Sequence, residues 1–195
     1  MPKVGMHPIR TSALLEAVIA EVGETGSMDV TVSRIAKRAG MSSALAHHYF
    51  GSKNNMLIAA MRHLLSSYSQ DVKQSLRGKT DPVERLEAII RASFSDMNFT
   101  PDTVGAWLNF YVYAQKQGAF SKLLRVYHRR LRTALLVELR QLTPDTADQV
   151  AEGIGAIIDG AYIRSALRDT SDRPTDPAAL VLKYLHMCLT RKGPM

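Results

Sequence analysis

Four pairs of residues place a helix-capping side chain directly before a proline: Asp81-Pro82, Thr100-Pro101, Thr143-Pro144 and Asp176-Pro177. Asp and Thr side chains accept hydrogen bonds from the free amides of a helix N-terminus, and proline suits the first helical position because its missing N–H is not needed there. Between these pairs apolar residues recur at the spacing of a helix, and no window alternates as a strand does. The sequence therefore predicts an all-α fold.

Glycines and capping pairs divide the chain into a series of predicted helices. The helices lie near residues 8–24, 32–39, 43–49, 53–77, 82–98, 101–117, 121–141, 144–169 and 177–191. Three short helices precede the long ones, which indicates a small module at residues 1–52 and a larger helical bundle at residues 53–195. The helix at 53–77 is expected to join the two parts, and residues 170–176 form a short linker.

Basic residues are concentrated in one part of the chain. The whole sequence has 25 Lys and Arg against 18 Asp and Glu, a net charge of +7. Between Val30 and Gln70 there is no acidic residue, but there are five basic ones: Arg34, Lys37, Arg38, Lys53 and Arg62. Such a segment is expected to attract phosphates, which favours nucleic acid as a partner; chance in an acid-poor surface is the alternative.

Other classes of protein find little support in the sequence. The single cysteine, Cys188, excludes an internal disulfide and suits a cytoplasmic location. No apolar segment approaches the ~20 residues of a membrane span. The six histidines are scattered and predict no metal site. Because no nucleophile, base and orienting group can be placed together, neither an enzyme nor a bound cofactor is expected.

Residues 31–50 have the pattern of two short helices that cross at a tight turn. Gly40 permits the turn, and Ser42 is a suitable N-cap for the second helix. Three side chains would then lie near the start of that helix: Ser43, Ala44 and His47. In a helix-turn-helix, the N-terminal side chains of the second helix enter the major groove of DNA. The pattern therefore predicts DNA recognition by these residues.

Several motifs support this interpretation: Ile35-Ala36, Ala39-Gly40-Met41-Ser42 and Tyr49-Phe50-x-x-Lys53-x-x-Met56-Leu57. With them, the segment from Ala13 to Leu57 resembles the TetR family of transcriptional regulators. The resemblance implies phosphate contacts from Thr31, Tyr49 and Lys53. It also implies a DNA-facing surface that includes Ser33, Ser42, Ser43, Ala44 and His47. Residues 1–52 would be the DNA-binding domain, and residues 53–195 the ligand-binding and dimerisation domain.

The resemblance continues through blocks outside this domain: Pro2-Lys3-x-Gly5-Met6-x-x-Ile9-Arg10, Ala106-Trp107-Leu108-x-Phe110, Arg129-Arg130-Leu131 and the residues from Ile157 to Arg164. These blocks resemble the BetI branch of the family. Members of that branch repress the genes that make glycine betaine from choline, and choline relieves the repression. The resemblance therefore implies a repressor of operator DNA that choline or a related quaternary ammonium releases.

The C-terminal part contains candidate residues for such a ligand. An aromatic stripe is predicted on the helix 101–117 from Trp107, Phe110 and Tyr111, with plain core packing as the alternative. Asp159 interrupts an apolar helix, so we expect a buried carboxylate that needs a cation. The cation is either Arg129 or Arg130, or a ligand enclosed by the stripe and Tyr162, since aromatic faces attract quaternary ammonium groups.

A homodimer is expected because one small helix-turn-helix module offers too little contact for tight DNA binding. Helices 144–169 and 177–191 are predicted to form the dimer surface through their apolar residues, which are Val150, Ile154, Ile157, Val181, Tyr184, Leu185 and Leu189. Three other functions remain open: a TetR-type repressor of efflux or other genes that answers to a different lipophilic cation, a non-specific nucleoid protein, and a helical enzyme.

Overall fold

The computed structural model describes residues 6–167 and 176–190, and within these ranges it contains nine α-helices and no strand. The helices are α1 (Met6–Thr25), α2 (Val32–Arg38), α3 (Ser43–Phe50), α4 (Lys53–Ser75), α5 (Pro82–Ala92), α6 (Pro101–Ala114), α7 (Gly118–Leu142), α8 (Ala147–Ala166) and α9 (Pro177–Thr190). The predicted all-α class is confirmed. In these ranges no helix combines the length and the apolar character that crossing a bilayer requires. Some predicted features lie wholly or partly outside the described residues. These are the motif residues 2–5, the linker at 170–176, and the C-terminal ends of the predicted helices 144–169 and 177–191.

Side-chain caps explain why most helices begin where the sequence predicts. Asp81 and Thr100 each accept a hydrogen bond from the amide three residues later, at 2.9 and 3.2 Å. Thr143 does not cap a helix, and the predicted start at this position is wrong. Helix α8 begins at Ala147, and the Thr143 hydroxyl bonds the hydroxyl of Thr146 instead.

Helix α5 ends at Ala92 rather than at residue 98. The side-chain amide of Asn98 donates hydrogen bonds to the Ala92 carbonyl (3.0 Å) and to the Asp71 carboxylate (2.7 Å). The Ser95 hydroxyl also donates to Asp71 (2.7 Å). These bonds satisfy a carbonyl at the helix end and hold residues 93–99 in turns, which the apolar spacing does not reveal.

The described residues divide into two compact units. Among the described residues, the N-terminal unit comprises residues 6–66 and 100–124, and the C-terminal unit comprises residues 67–99, 125–167 and 176–190. The sequence predicted a division after residue 52. The structural grouping differs because α6 packs on α1, which brings α6 into one unit with α2 and α3.

Two glycines let α1 and α6 approach until their backbones touch. A Cβ atom at Gly23 would lie 2.2 Å from the carbonyl oxygen of Asp102, and a Cβ atom at Gly105 would lie 2.7 Å from the carbonyl oxygen of Gly23. Real Cβ atoms essentially never come within 3.0 Å of another heavy atom. Glycine is therefore required at both positions for this helix pair to form.

Helices α8 and α9 pack together inside the C-terminal unit. A Cβ atom at Gly153 would lie 2.1 Å from the Tyr184 hydroxyl oxygen, so this glycine makes room for the Tyr184 side chain. Several of the apolar residues predicted to form a dimer surface are instead buried in the interior of the unit: Val150, Ile154, Val181 and Leu185. The expectation that they form the dimer surface is wrong, because the two helices use these side chains to pack within one chain.

Candidate nucleic-acid interface and ligand site

Helices α2 and α3 have the local geometry that the sequence predicts for a helix-turn-helix. Thr31 caps α2 by accepting a hydrogen bond from the Arg34 amide (3.3 Å), and Ser42 caps α3 by accepting one from the Leu45 amide (3.2 Å). Gly40 lies in the turn with a φ of +66°, a backbone conformation that glycine adopts without steric cost. The start of α3 is therefore set by its own sequence.

The residues predicted to contact DNA lie at the surface of this module. Thr31, Ser33, Ser42, Ala44 and His47 are exposed, and Ser43, Tyr49 and Lys53 are half-buried. The Tyr49 ring also packs against the His7 ring of α1, with ring centroids 4.7 Å apart. Exposure leaves these side chains available to a partner, and their contact with DNA stays a prediction.

Two arginines of α2 are paired with acidic residues of α1. Arg38 Nε donates to Glu21 Oε1 (2.7 Å), and the same guanidinium donates to Glu24. Arg34 Nε lies 3.0 Å from Glu21 Oε2, as an ion pair rather than an aligned hydrogen bond. Glu21 is buried, and its hydrogen bond raises the pKa of Arg38. These pairs attach α2 to α1.

Lys53, the first residue of α4, is paired with Asp29 in the loop between α1 and α2. Lys53 Nζ donates to Asp29 Oδ1 at 3.1 Å. The Ser52 hydroxyl caps the same helix end by accepting from the Asn55 amide (3.1 Å). Three of the five basic residues between Val30 and Gln70 are therefore paired with acidic residues. The acids, Glu21 and Asp29, precede this segment in the sequence.

The aromatic residues predicted on α6 are not equivalent. Trp107 and Tyr111 are neighbours, with ring centroids 6.0 Å apart and planes inclined by 57°. Phe110 is fully buried and stacks on Phe120, with centroids 5.9 Å apart, which is a packing role. These three residues belong to the N-terminal unit, whereas Asp159 and Tyr162 belong to the C-terminal unit.

Tyr162 lies in an aromatic group that the helical spacing of the sequence does not predict. Its ring is 4.9 Å from the ring of Phe99 and 6.0 Å from that of Phe94, measured between centroids. Its hydroxyl donates to the carbonyl oxygens of Ser93 (2.6 Å) and Asn98 (3.1 Å). Phe94 and Phe99 were missed because they lie in turns, where helical spacing is no guide.

A second pair of rings completes this part of the C-terminal unit. Tyr68 and Tyr127 lie with their centroids 5.5 Å apart, and the Tyr68 hydroxyl is 3.3 Å from that of Ser93. Burial raises the pKa of Tyr68 to about 12. Burial, with smaller effects of Tyr68 and Asp159, also raises the pKa of Tyr162. Both phenols therefore remain protonated at neutral pH.

Asp159 is not buried, contrary to the expectation from its apolar helix. Its side chain is 39% exposed, and its Oδ2 atom lies 3.8 Å from His128 Nε2. It lines a groove of about 500 Å³ between α7 and α8, together with Arg129, Arg132 and Glu152. The groove is lined by basic side chains of α7 (His128, Arg129 and Arg132) and by α8, and the Asp159 carboxylate lies at its surface. A counter-charge role toward a cationic ligand stays a prediction.

Comparison with known families matches both parts of the chain. Residues 14–60 match the family described as "Bacterial regulatory proteins, tetR family". Residues 82–190 match the family described as "BetI-type transcriptional repressor, C-terminal". Together the two matches cover the predicted helix-turn-helix and most of the helical part that follows it.

Curated relatives and solved structures agree with these matches. The chain is 46% identical to the HTH-type transcriptional regulator BetI of Brucella melitensis biotype 2 over 191 residues, which are 97% of this chain and 96% of the relative. It is also 46% identical to BetI of Rhizobium meliloti, over 99% of this chain and 96% of that one. A transcriptional regulator from Rhodococcus sp. Rha1 has the same fold, with a TM-score of 0.80 and 22% identity over 92% of this chain and 95% of the other. So does a regulator from Saccharomonospora viridis solved in complex with choline, with a TM-score of 0.75 and 19% identity over 93% and 96%.

Proposed function

The chain belongs to the TetR family of transcriptional regulators and carries a BetI-type C-terminal domain, and from this membership we propose that it represses the genes that convert choline into glycine betaine. It is a DNA-binding repressor and not an enzyme. In our proposal, choline or a related quaternary ammonium releases it from its operator. It acts in the cytoplasm, with residues 1–52 on DNA and residues 53–195 binding the ligand and a second subunit.

The observation that carries this proposal is the 46% identity to curated BetI proteins over 97% of the chain. Because the identity extends over the ligand-binding part as well as the DNA-binding part, it supports a proposal about the inducer as well as about DNA binding. The choline bound to the Saccharomonospora viridis regulator supports the same chemistry at the level of the fold. A TetR-type repressor of efflux or other genes that answers to another lipophilic cation is the second candidate.

An electrophoretic mobility shift assay tests the function directly, with DNA from the region upstream of the gene that encodes this protein. We expect a specific complex whose apparent affinity falls at least tenfold when millimolar choline is added, which requires a coupling free energy of about 1.4 kcal/mol or more. Tetraphenylphosphonium serves as the matched lipophilic cation. Release by tetraphenylphosphonium and not by choline would favour the second candidate, and equal binding to random DNA would favour a nucleoid protein.

We assign the cation to the aromatic pair Trp107 and Tyr111. A desolvated cation over an aromatic face gains about 2 kcal/mol, and the two rings are neighbours, with Trp107 buried and Tyr111 half-buried. Both residues lie on α6, which packs on α1. A ligand that moves α6 would therefore act on the helix-turn-helix through α1, and it must favour the arrangement that does not bind DNA.

Replacing Trp107 tests this assignment. Trp107→Leu keeps an apolar side chain but removes the π face, so we expect about 30-fold weaker choline binding, which corresponds to about 2 kcal/mol. Trp107→Phe keeps an aromatic face and should lose much less. Isothermal titration calorimetry measures both. The control is Tyr113→Leu, which removes another aromatic ring of α6 that packs on Phe120. Wild-type choline affinity in Trp107→Leu would contradict the assignment.

The homodimer rests on apolar side chains that α8 and α9 leave exposed. Ile163 lies in the last turn of α8, and Leu167 directly follows the helix; they are 47% and 80% exposed. Leu180 and Met187 lie two turns apart on α9 and are more than half exposed. The two helices pack on each other, and exposed apolar side chains on neighbouring elements are typical of an interface. We propose that these four residues lie in an isologous dimer, which presents two recognition helices to half-sites about 34 Å apart.

A further inference from the structure

We infer that Asp29 sets the affinity of this repressor for DNA, because its carboxylate occupies Lys53 in the free protein and must give way to a DNA phosphate. The inference rests on the proposed contact between Lys53 and phosphate. Asp29 is outside the helix-turn-helix pattern and outside α3, the helix predicted to enter the major groove, so neither feature identifies it as a residue that affects DNA binding. Asp29 lies in the loop before α2, and its partner lies 24 residues away at the start of α4.

The position of Asp29 is held by its backbone, while its side chain remains in solvent. The Asp29 amide donates to the Ser27 hydroxyl (3.0 Å), which anchors the loop next to the Asp29 side chain. The side chain of Asp29 is 96% exposed, and that of Lys53 is 39% exposed. An ion pair this exposed contributes little to stability, so a phosphate can displace the carboxylate at small cost.

Lys53 offers more to a phosphate than to Asp29. It is the first residue of a 23-residue helix, whose N-terminal amides and dipole favour an anion of either kind at that end, so the difference between the two partners lies in the DNA. DNA adds the release of a condensed counterion, which a side-chain carboxylate does not provide. The pair with Asp29 is therefore the weaker of the two and opens when DNA binds.

After the exchange, Asp29 stays close to the phosphate that replaced it. Asp29 and the phosphate compete for the same Lys53 ammonium group, so we expect the two anions to lie within the Debye length of about 10 Å at 0.1 M salt. The carboxylate therefore repels the phosphate without full screening. Because a phosphate contact positions the protein and reads no base, this repulsion lowers the affinity for every DNA sequence alike. Asp29 thus lowers the affinity for DNA without changing the preference for one sequence over another.

The test is a double-mutant cycle of Asp29→Asn and Lys53→Gln, read by fluorescence anisotropy with operator DNA and with random DNA over a range of salt. We expect Asp29→Asn to bind both DNAs about 3–10-fold more tightly at 0.1 M salt, and to increase the slope of log affinity against log salt by up to about 1. Lys53→Gln should bind both more weakly. In the Lys53→Gln background, Asp29→Asn should gain clearly less than in the wild-type background, because the exchange no longer takes place and only the repulsion between Asp29 and the phosphate remains.

Asp145→Asn is the matched control, since it makes the same change in net charge at an exposed position between α7 and α8. It should leave both affinities unchanged. Weaker binding by Asp29→Asn would overturn the inference, because Asp29 would then position Lys53 for DNA. So would unchanged binding by Asp29→Asn beside a weakened Lys53→Gln. If Lys53→Gln itself leaves the affinity and the salt slope unchanged, the proposed phosphate contact fails, and the inference fails with it.

Discussion

Gly23→Ala is expected to lower the free energy of unfolding by about 3 kcal/mol, the upper part of the range for overpacked sites. The new Cβ atom would lie 2.2 Å from the carbonyl oxygen of Asp102, and backbone atoms cannot move aside as the end of a long side chain can. Alanine gains about 1 kcal/mol of helix propensity, which offsets only part of the clash. Thermal denaturation followed by circular dichroism should show a midpoint roughly 6–12 °C lower.

Gly155→Ala is the control for this prediction. Gly155 also lies inside a helix, but a Cβ atom there would have no neighbour within 4 Å. It should therefore raise the free energy of unfolding by about 1 kcal/mol through helix propensity alone. If Gly23→Ala were as stable as the wild type, the close approach of α1 and α6 would be wrong.

Leu180→Glu is expected to separate the proposed dimer into monomers and to weaken operator binding at least ~100-fold. A charge in an apolar interface has no partner there, and a monomer loses the gain that comes from linking two half-site contacts. Sedimentation velocity at micromolar concentration measures the assembly, and anisotropy measures the affinity. Leu185 is unsuitable for this purpose because it is fully buried, and a charge there would unfold the chain.

Val137→Glu is the control for the assembly. Val137 is 55% exposed on α7, against 56% for Leu180 on α9, so the two substitutions cost about the same in the isolated subunit. The Val137 variant should remain dimeric and bind the operator as the wild type does. A dimeric Leu180→Glu protein with full affinity would show that the interface lies elsewhere.

Features that depend on a few neighbouring residues could be predicted from the sequence. The caps at Asp81, Thr100 and Ser42 involve an amide three residues away, and the turn at Gly40 needs only its own backbone freedom. Thr143 has the same local signal, but its hydroxyl bonds the Thr146 hydroxyl and caps no helix. A capping pair therefore predicts a helix start only when no other partner lies within reach.

Features that depend on distant partners could not be predicted. The five basic residues between Val30 and Gln70 form an acid-free segment, yet Glu21 and Asp29 lie close to three of them in space. In the same way, the apolar neighbours of Asp159 predicted that its side chain is buried. The prediction was wrong because this position faces a groove, which the sequence does not reveal. The local chemistry of each charge was predictable, but its surroundings were not.

The backbone contact between α1 and α6 has a consequence for building chimeric repressors. Exchanging residues 1–52 for those of another family member transfers α1 but leaves α6 behind, so the two sides of the contact then come from different proteins. If the incoming helix has a side chain at position 23, it meets the Asp102 carbonyl, and the hybrid is strained before any DNA is bound. A functional chimera therefore needs glycine at both positions 23 and 105, or it must take α6 from the same protein as residues 1–52.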